Sequence, residues 1–388
     1  MPETIPNLLS MYTFPALSKE PSKPFSTPLV TRVLASVVVV SHNSRHHLDR
    51  CLTSLLHTVG LDCEVIVVDN ASTDGSADFV SDRFPWVKLI RNARNAGFAA
   101  ANNLAVSEAA GHYIVALNPD TEVTPGWLEA LLRPFEQDRQ GYGCGPPVGM
   151  TTPRILMMDR PDRVNTCGNT MHYTGITVCR GLGRPANAPE LAVSREVSAV
   201  SGACFAMPRR LWVELGGFDP DFFTYLEDTD LSMRAWLAGY RCVYVPDSVV
   251  YHSYTGRFNA RKFYYLERNR LMLLFKLFSL RTLVVLLPAL LAAEAVTWAY
   301  ALKSGPAHIA AKLRACGWLV AHRTQIARKR RHSFATRRVN DRQLLAAMTS
   351  RLDVGQLAGR RASQIADRTL NRAFRLWKKL ALRLCVGC

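Results

Sequence analysis

The stretch VLASVVVVSHN (33–43) decides the fold. Its apolar part is too β-branched and too short for a helix and shows no polar side. That is the pattern of a strand buried on both faces in a parallel sheet. The run stops at Ser41, His42 and Asn43. Beyond them Leu48, Cys51, Leu52, Leu55 and Leu56 recur at helical spacing. CEVIVV (63–68) is a second strand, ending in Asp69, Asn70, Ser72, Thr73 and Asp74. A helix through Phe79 leads to a third strand near VKLIR (87–91). NARNAGFAAANN (92–103) then opens another helix, and YIVAL (113–117) runs into Asn118, Pro119 and Asp120. Alternating strands and helices at this spacing predict right-handed crossovers and a mostly parallel α/β sheet. Ligands bind such sheets beyond the carboxyl ends of the strands, which is where the polar residues gather here.

The two common phosphate signatures are missing. No G-x-G-x-x-G follows the first strand and no Walker A lysine loop occurs, which counts against a dehydrogenase or a P-loop enzyme. Asn95, Ala96 and Gly97 at a helix start offer backbone N–H groups to a phosphate, or serve as an ordinary N-cap. Further on, Glu227, Asp228 and Asp230 crowd behind Phe222, Phe223 and Tyr225. Leu231, Met233, Arg234, Trp236 and Leu237 continue with helical spacing to Gly239. Acids at a helix start cap a surface helix. Beside large aromatics they also lose water and repel one another, which moves carboxyl pKa values toward catalytic use. Asp230 suits either reading, and Asp228 suits chemistry.

Six ordered segments, VVVVSHN, VIVVDNASTDGS, NARNAGFAAANN, ALNPDTEV, SGACFAMPRRLWVELGGFD and YLEDTDLSMR, resemble glycosyltransferase family 2 over roughly residues 33–275. Within it the chain is most similar to the bacterial rhamnosyltransferase-type branch. The resemblance implies a GT-A fold, a Rossmann-like, mostly parallel sheet with flanking helices. It also implies inverting sugar transfer from a nucleoside diphosphate donor, dTDP- or UDP-linked, with rhamnose the expected sugar. It places Ser41, His42, Asp69 and Asn70 in the base and ribose pocket, with Asn95, Gly97 and Asn118 also on the donor side. Asp120 matches the second acid of the family's D-x-D metal motif, whose first acid is Asn118 here, so one carboxylate carries the Mg²⁺ or Mn²⁺. His252 falls where many members place a further metal ligand, although a histidine after a strand is often simply packed. Asp228 matches the general base, and Glu227 is expected to orient the acceptor.

Elementary chemistry asks for the same groups. An acceptor hydroxyl must lose its proton to a placed carboxylate, and a departing nucleoside diphosphate gains charge that a divalent cation stabilises. Two rivals remain: a nucleotide-sugar-binding scaffold without catalysis, motivated by Asn118, and a nucleotidyltransferase. The second gives the acidic pair no role. Residues 141–200, rich in Gly and Pro, are expected to form loops on the acceptor side.

The net charge of +17 is unevenly placed. Residues 303–388 hold 20 of the 48 Lys and Arg but 3 of the 31 Asp and Glu, so residues 1–302 carry 28 of each sign. Four regions follow: a flexible proline-rich leader (1–31), a catalytic domain (32–270), an apolar segment (271–302) and a basic helical tail (303–388). TLVVLLPALLAAEAVTWAYAL (282–302) is long enough to span a bilayer, but Glu294 near its middle costs about 2–3 kcal/mol there. An in-plane or re-entrant segment is expected, against a true span or packing on the catalytic body. Basic amphipathic helices around Lys312–Arg331 and Arg368–Arg383 suit an anionic membrane surface. The alternatives are a solvated tail or nucleic acid, and no nucleic-acid-binding module accompanies the charge. Cysteines mostly in apolar runs point to a reducing compartment, and no secretory leader is evident. Cys385 and Cys388 are the only close pair, without the second pair of a zinc site. The expectation is an enzyme of cell-envelope glycan synthesis at the cytoplasmic face of the plasma membrane, acting on a lipid-linked or polysaccharide acceptor.

Overall fold

The computed structural model describes residues 33–58, 60, 62–142, 145–254, 256, 258–353 and 369–385. The expected leader and Cys388 lie outside the described residues. The β-branched run forms β1 (Ala35–Ser41), followed by α1 (Arg45–Leu56), β2 (Cys63–Asp69), α2 (Ser76–Arg83), β3 (Lys88–Arg91), α3 (Gly97–Ser107) and β4 (Tyr113–Leu117). β1 lies between β2 and β4 and parallel to both, and β3 continues the parallel set beyond β2. Val38 and Val40 enter the core on one face of the sheet, and Val37 and Val39 enter the core on the other. Burial on both faces is why the run shows no polar side.

Next come β5 (Thr121–Val123), α4 (Trp127–Arg139), β6 (Val148–Met157), β7 (Val164–Thr166), β8 (Asn169–Met171), β9 (Thr177–Cys179), β10 (Arg195–Glu196), β11 (Cys204–Pro208), α5 (Arg209–Leu215), α6 (Glu227–Leu237) and β12 (Arg241–His252). The main sheet runs β10-β12-β6-β11-β4-β1-β2-β3, with β5 on β12 and β7 on β6. β11 is antiparallel to both β4 and β6, so the sheet is mixed.

Two expectations are corrected here. Residues 141–200 are not simply loops, because β6 runs through the middle of the sheet. Its polar residues hid it. Thr151 and Thr152 are buried with hydroxyls donating to the Leu131 and Cys204 carbonyls at 2.9 and 3.0 Å. Pro153 lies where β12 slips register between Val245 and Val249, so its missing N–H falls at an interruption of the ladder. Nor is α6 a capped surface helix: it is buried from Glu227 through Ala235. Asp230 spends its carboxylate on Arg234 at 2.8 Å and Lys276 at 2.7 Å rather than on a cap.

The C-terminal part comprises α7 (Ala260–Leu277), α8 (Leu280–Ser304), α9 (Pro306–Ala321), α10 (Arg323–Ala335), α11 (Asp341–Ala347) and α12 (Leu370–Leu384). Residue 270, the expected domain boundary, falls inside α7, and the described residues from Val33 onward form one compact unit. α8 is long and apolar enough to cross a membrane by length and composition. Its acid turns toward protein: Glu294 pairs with Arg270 of α7 and, at 2.8 Å, with Lys312 of α9. Leu280, Val284, Leu287 and Leu291 form the outward stripe. The segment 312–331 is not a solvated tail. Lys312 is fully buried, and Lys329 pairs with Asp219 and Asp221 beside α6. α12 buries Phe374 and exposes Leu376, Leu380 and Leu384 among Arg375, Lys379 and Arg383.

Candidate active site

The carboxyl ends of β1 and β2 lie side by side, with Ser41 in register with Asp69. Both are buried, and the Ser41 hydroxyl and Asp69 Oδ1 have no hydrogen-bond partner among the described residues. Buried polar atoms normally find partners, so an orphaned pair at a strand end marks a place for a ligand. The other Asp69 oxygen accepts from the Ser72 N–H at 3.1 Å, which fixes the carboxylate. His42 is exposed, with Nδ1 3.1 Å from the Asn70 carbonyl.

Asn70 is fully engaged with its neighbours. Its Oδ1 accepts from Asn92 Nδ2 and the Ala96 N–H at 3.0 Å, and its Nδ2 donates to Asn95 Oδ1 at 2.9 Å. Asn95 Oδ1 also accepts the Gly97 N–H at 2.9 Å. These two side chains therefore brace the turn into α3. Gly97 has φ +84°, and a Cβ there would stand 2.5 Å from the Phe223 ring. Only glycine fits. That close approach locks the turn into α3 against the loop that precedes α6.

β4 ends at Asn118, whose N–H donates to the Ala203 carbonyl at 2.9 Å. β5 then pairs antiparallel with β12, setting Thr121 opposite His252 and bringing Asp120 beside the imidazole. His252 Nε2 stands 3.2 Å from Asp120 Oδ1, close enough for attraction but not aligned as a hydrogen bond, so that oxygen keeps a free lone pair. Asn165 Oδ1 lies 2.8 Å from His252 Nδ1. With the proton on Nδ1, Nε2 is left as a lone-pair donor pointing at the carboxylate. Burial alone raises the Asp120 carboxyl; when His252 carries protons on both nitrogens, it and His47 outweigh that effect and hold the carboxyl below the ordinary range. One carboxylate and one oriented imidazole thus converge.

Asn118, His252, Glu227 and Asp228 line a common pocket of about 260 Å³, with Asn165, Asn169, Gly202, Tyr254 and Lys262 in its wall. Asp228 Oδ2 accepts from the Gly202 N–H at 2.7 Å and Asn169 Nδ2 at 3.4 Å. Oδ1 accepts from the Thr229 N–H at 2.6 Å. Burial raises the Asp228 carboxyl despite these bonds. Burial, and then the Asp228 charge, push Glu227 well above the usual carboxylate range, and its Oε2 has no partner among the described residues. Asp120 does not line this pocket but stands behind His252. Ser41, His42, Asp69, Asn70, Asn95 and Gly97 are not in it either. They form the adjoining cluster at the ends of β1 and β2 and the start of α3.

The sequence itself matches known proteins. Residues 36–179 match the model described as Glycosyl transferase family 2, and residues 113–302 that of Glycosyl transferase family group 2. The N-acetylglucosaminyl-diphospho-decaprenol L-rhamnosyltransferase of Mycobacterium tuberculosis is 30% identical over 239 residues, covering 56% of this chain and 75% of that protein. The chain belongs to glycosyltransferase family 2.

Solved structures agree on the fold. S. aureus TarS 1-349 in complex with UDP-GlcNAc aligns with a TM-score of 0.51 at 16% identity, over 88% of this chain and 92% of that one. GalNAc-T7 with UDP, GalNAc and Mn²⁺ aligns with a TM-score of 0.50 at 20% identity, over 63% and 48%. The glycosyltransferase therefore has a GT-A sheet with flanking helices.

Some residues that shape this candidate site were not legible in the sequence. Asn269 of α7 donates to the carbonyls of Phe222, Thr224 and Tyr225 at 3.0, 3.0 and 2.7 Å, and Arg268 donates to that of Phe222 at 2.8 Å. The loop they hold contains Phe223, Tyr225 and Leu226 at φ 61°, 68° and 66° and delivers Glu227 and Asp228 to the pocket. The available signal was the polar run ERNR (267–270) inside an otherwise apolar helix.

Proposed function

We propose that this enzyme transfers a sugar, rhamnose from a dTDP or UDP donor, with inversion to a hydroxyl of a lipid-linked or polysaccharide acceptor in cell-envelope glycan synthesis. The observation that carries the reading is the pairing of two adjacent features. One is a strand-end cluster with orphaned oxygens on Ser41 and Asp69. The other is a pocket where a hydrogen-bonded, buried Asp228 meets the loops of residues 165–179. The Mycobacterium tuberculosis relative, named for a diphospho-decaprenol acceptor and L-rhamnose, supports the substrate class.

In this reading Asp228 takes the proton of the acceptor hydroxyl. The Gly202 and Thr229 N–H groups hold its carboxylate in place, and burial lifts its pKa toward the working range. Glu227 faces the acceptor with its unpartnered Oε2. Asn70 and Asn95 act by bracing the turn into α3 rather than by touching the donor. Asp120 and His252 would hold Mg²⁺ or Mn²⁺. Among the described residues no three His, Cys, Asp or Glu side chains cluster as a metal centre, so an ion held by Asp120 and His252 would also need oxygens from the donor. When bound, such a cation stabilises charge on the departing diphosphate. The Mn²⁺ in the GalNAc-T7 structure supports this assignment. The outward stripe of α8 and the basic face of α12 rest on the cytoplasmic side of an anionic membrane.

The test is donor binding and hydrolysis across UDP-, dTDP- and GDP-sugars, with Mn²⁺ and with chelator. Metal-dependent release of one nucleoside diphosphate is the expected result. A folded protein that binds a donor without turning it over is instead the non-catalytic scaffold, and one that binds none of them overturns the donor-site reading.

A further inference from the structure

A second cavity, of about 300 Å³, adjoins the acidic pocket on the side of the C-terminal helices. Phe263 and Leu266 of α7, Val296, Ala299 and Tyr300 of α8, and Phe258 just before α7 give it an apolar wall. Glu267 and Arg270 also reach it, but they are spent on each other at 3.0 Å. Thr177, Leu226 and Leu266 line both cavities, so the two meet along one seam. The Thr177 hydroxyl at that seam is buried without a partner among the described residues.

The seam also carries a cation. Lys262 lines the acidic pocket, and its ammonium lies over the rings of Tyr225 and Phe258 at 5.2 and 5.9 Å. It forms no ion pair among the described residues, unlike Lys276 and Lys312 in the same helical layer. A half-buried cation without a counter-ion is completed by an anionic ligand. At the far end, Ala299 and Lys303 are exposed at the C-terminal end of α8, where Leu302 is exposed as well. The order along one path is therefore acids, cation, apolar cavity, apolar surface.

We propose that the cavity receives the first isoprene units of a polyprenyl diphosphate-linked acceptor, with Lys262 and Thr177 facing the diphosphate and the rest of the chain lying along α8. This rests on the transferase reading of the acidic pocket and names its acceptor. A cavity of this size is at the low end of small-molecule sites, ~300–1,000 Å³. It takes a segment of a long lipid and leaves the remainder to the membrane. The acceptor sugar then projects past Lys262 toward Asp228.

The experiment is photolabelling of the full-length protein in detergent with a benzophenone-bearing farnesyl diphosphate. Labelled peptides are expected to map to 258–266 and 296–303. Excess long-chain polyprenyl diphosphate reduces the labelling, whereas isopentenyl diphosphate does not. In the Lys262→Gln variant the diphosphate competes about tenfold less well, approaching the uncharged polyprenol. Labelling confined to the outward stripe of α8, labelling that no competitor reduces, or competition indifferent to Lys262 each overturns the proposal. Donor turnover on the same preparation separates the two readings. Turnover without labelling in the cavity removes the lipid site alone, and labelling there without turnover with any donor counts against the transferase reading.

Discussion

Asn269 Nδ2 donates to the Tyr225 carbonyl over 2.7 Å, tying α7 to the loop that presents the acidic pair. Left-handed backbone at Phe223, Tyr225 and Leu226 costs about 1–3 kcal/mol per residue and persists only where the surroundings enforce it. Asn269→Ala removes that enforcement from a fully buried position. The expected outcome is a fall in kcat of about 100-fold, with a smaller change in donor affinity, because the acids lose their placement. Steady-state kinetics beside donor titration checks this, and unchanged kcat contradicts it.

The Asp120 and His252 pair predicts how metal dependence breaks. Asn165→Ala frees the imidazole that Asn165 orients through a 2.8 Å contact, and is expected to weaken Mn²⁺ activation about tenfold. Asp120→Asn removes the single carboxylate and abolishes Mn²⁺ stimulation of donor binding. Calorimetric titration of donor at several Mn²⁺ concentrations reads both. An Asp120→Asn protein that keeps metal-stimulated binding shows that the ion is held elsewhere.

Burial raises the Glu227 carboxyl, and so does the Asp228 charge beside it. A carboxyl raised in the folded state favours the protonated fold, so its contribution to stability is present at low pH and lost as pH rises through the raised value. Glu227→Gln is therefore expected to raise Tm by roughly 2 °C at neutral pH, with the gain shrinking as pH falls toward the ordinary carboxylate range. Activity falls at the same time. Thermal unfolding across pH tests this, and a gain that grows in acid contradicts the sign.

Membrane attachment follows from α12 and the outward stripe of α8. Changing Arg375, Lys379 and Arg383 together to Gln is expected to weaken binding to anionic vesicles by about two orders of magnitude at low salt, at ~1 kcal/mol per residue. Val284→Glu and Leu291→Glu weaken binding to neutral vesicles as well. Sedimentation with vesicles of defined composition measures both. Binding indifferent to all five residues places the contact elsewhere.

Strands β1, β2 and β4 were legible because they are largely apolar runs, each ending in polar residues. Asp228 was legible for a related reason: acids next to aromatics at a helix start are chemically unusual. β6 was not, because Thr151, Thr152 and Pro153 imitate a loop until their hydrogen bonds and the irregularity in β12 are seen. Nor was the inward turn of Glu294, Lys312 and Lys329. Charges that pair across helices far apart in sequence have no spacing signature, and in the sequence they read as surface. Asn269 escaped for the same reason, since the carbonyls it holds lie 44 or more positions away.

In the proposed reaction Asp228 takes the acceptor proton. Asp228→Asn keeps the size of the side chain and removes its basicity. The decisive measurement is single-turnover sugar transfer by this variant, with donor affinity measured in parallel. The account predicts transfer slowed by about 10²–10⁴-fold while donor affinity stays within a factor of about two. Transfer at the rate of the unaltered enzyme would contradict it and move the base to another group in the pocket.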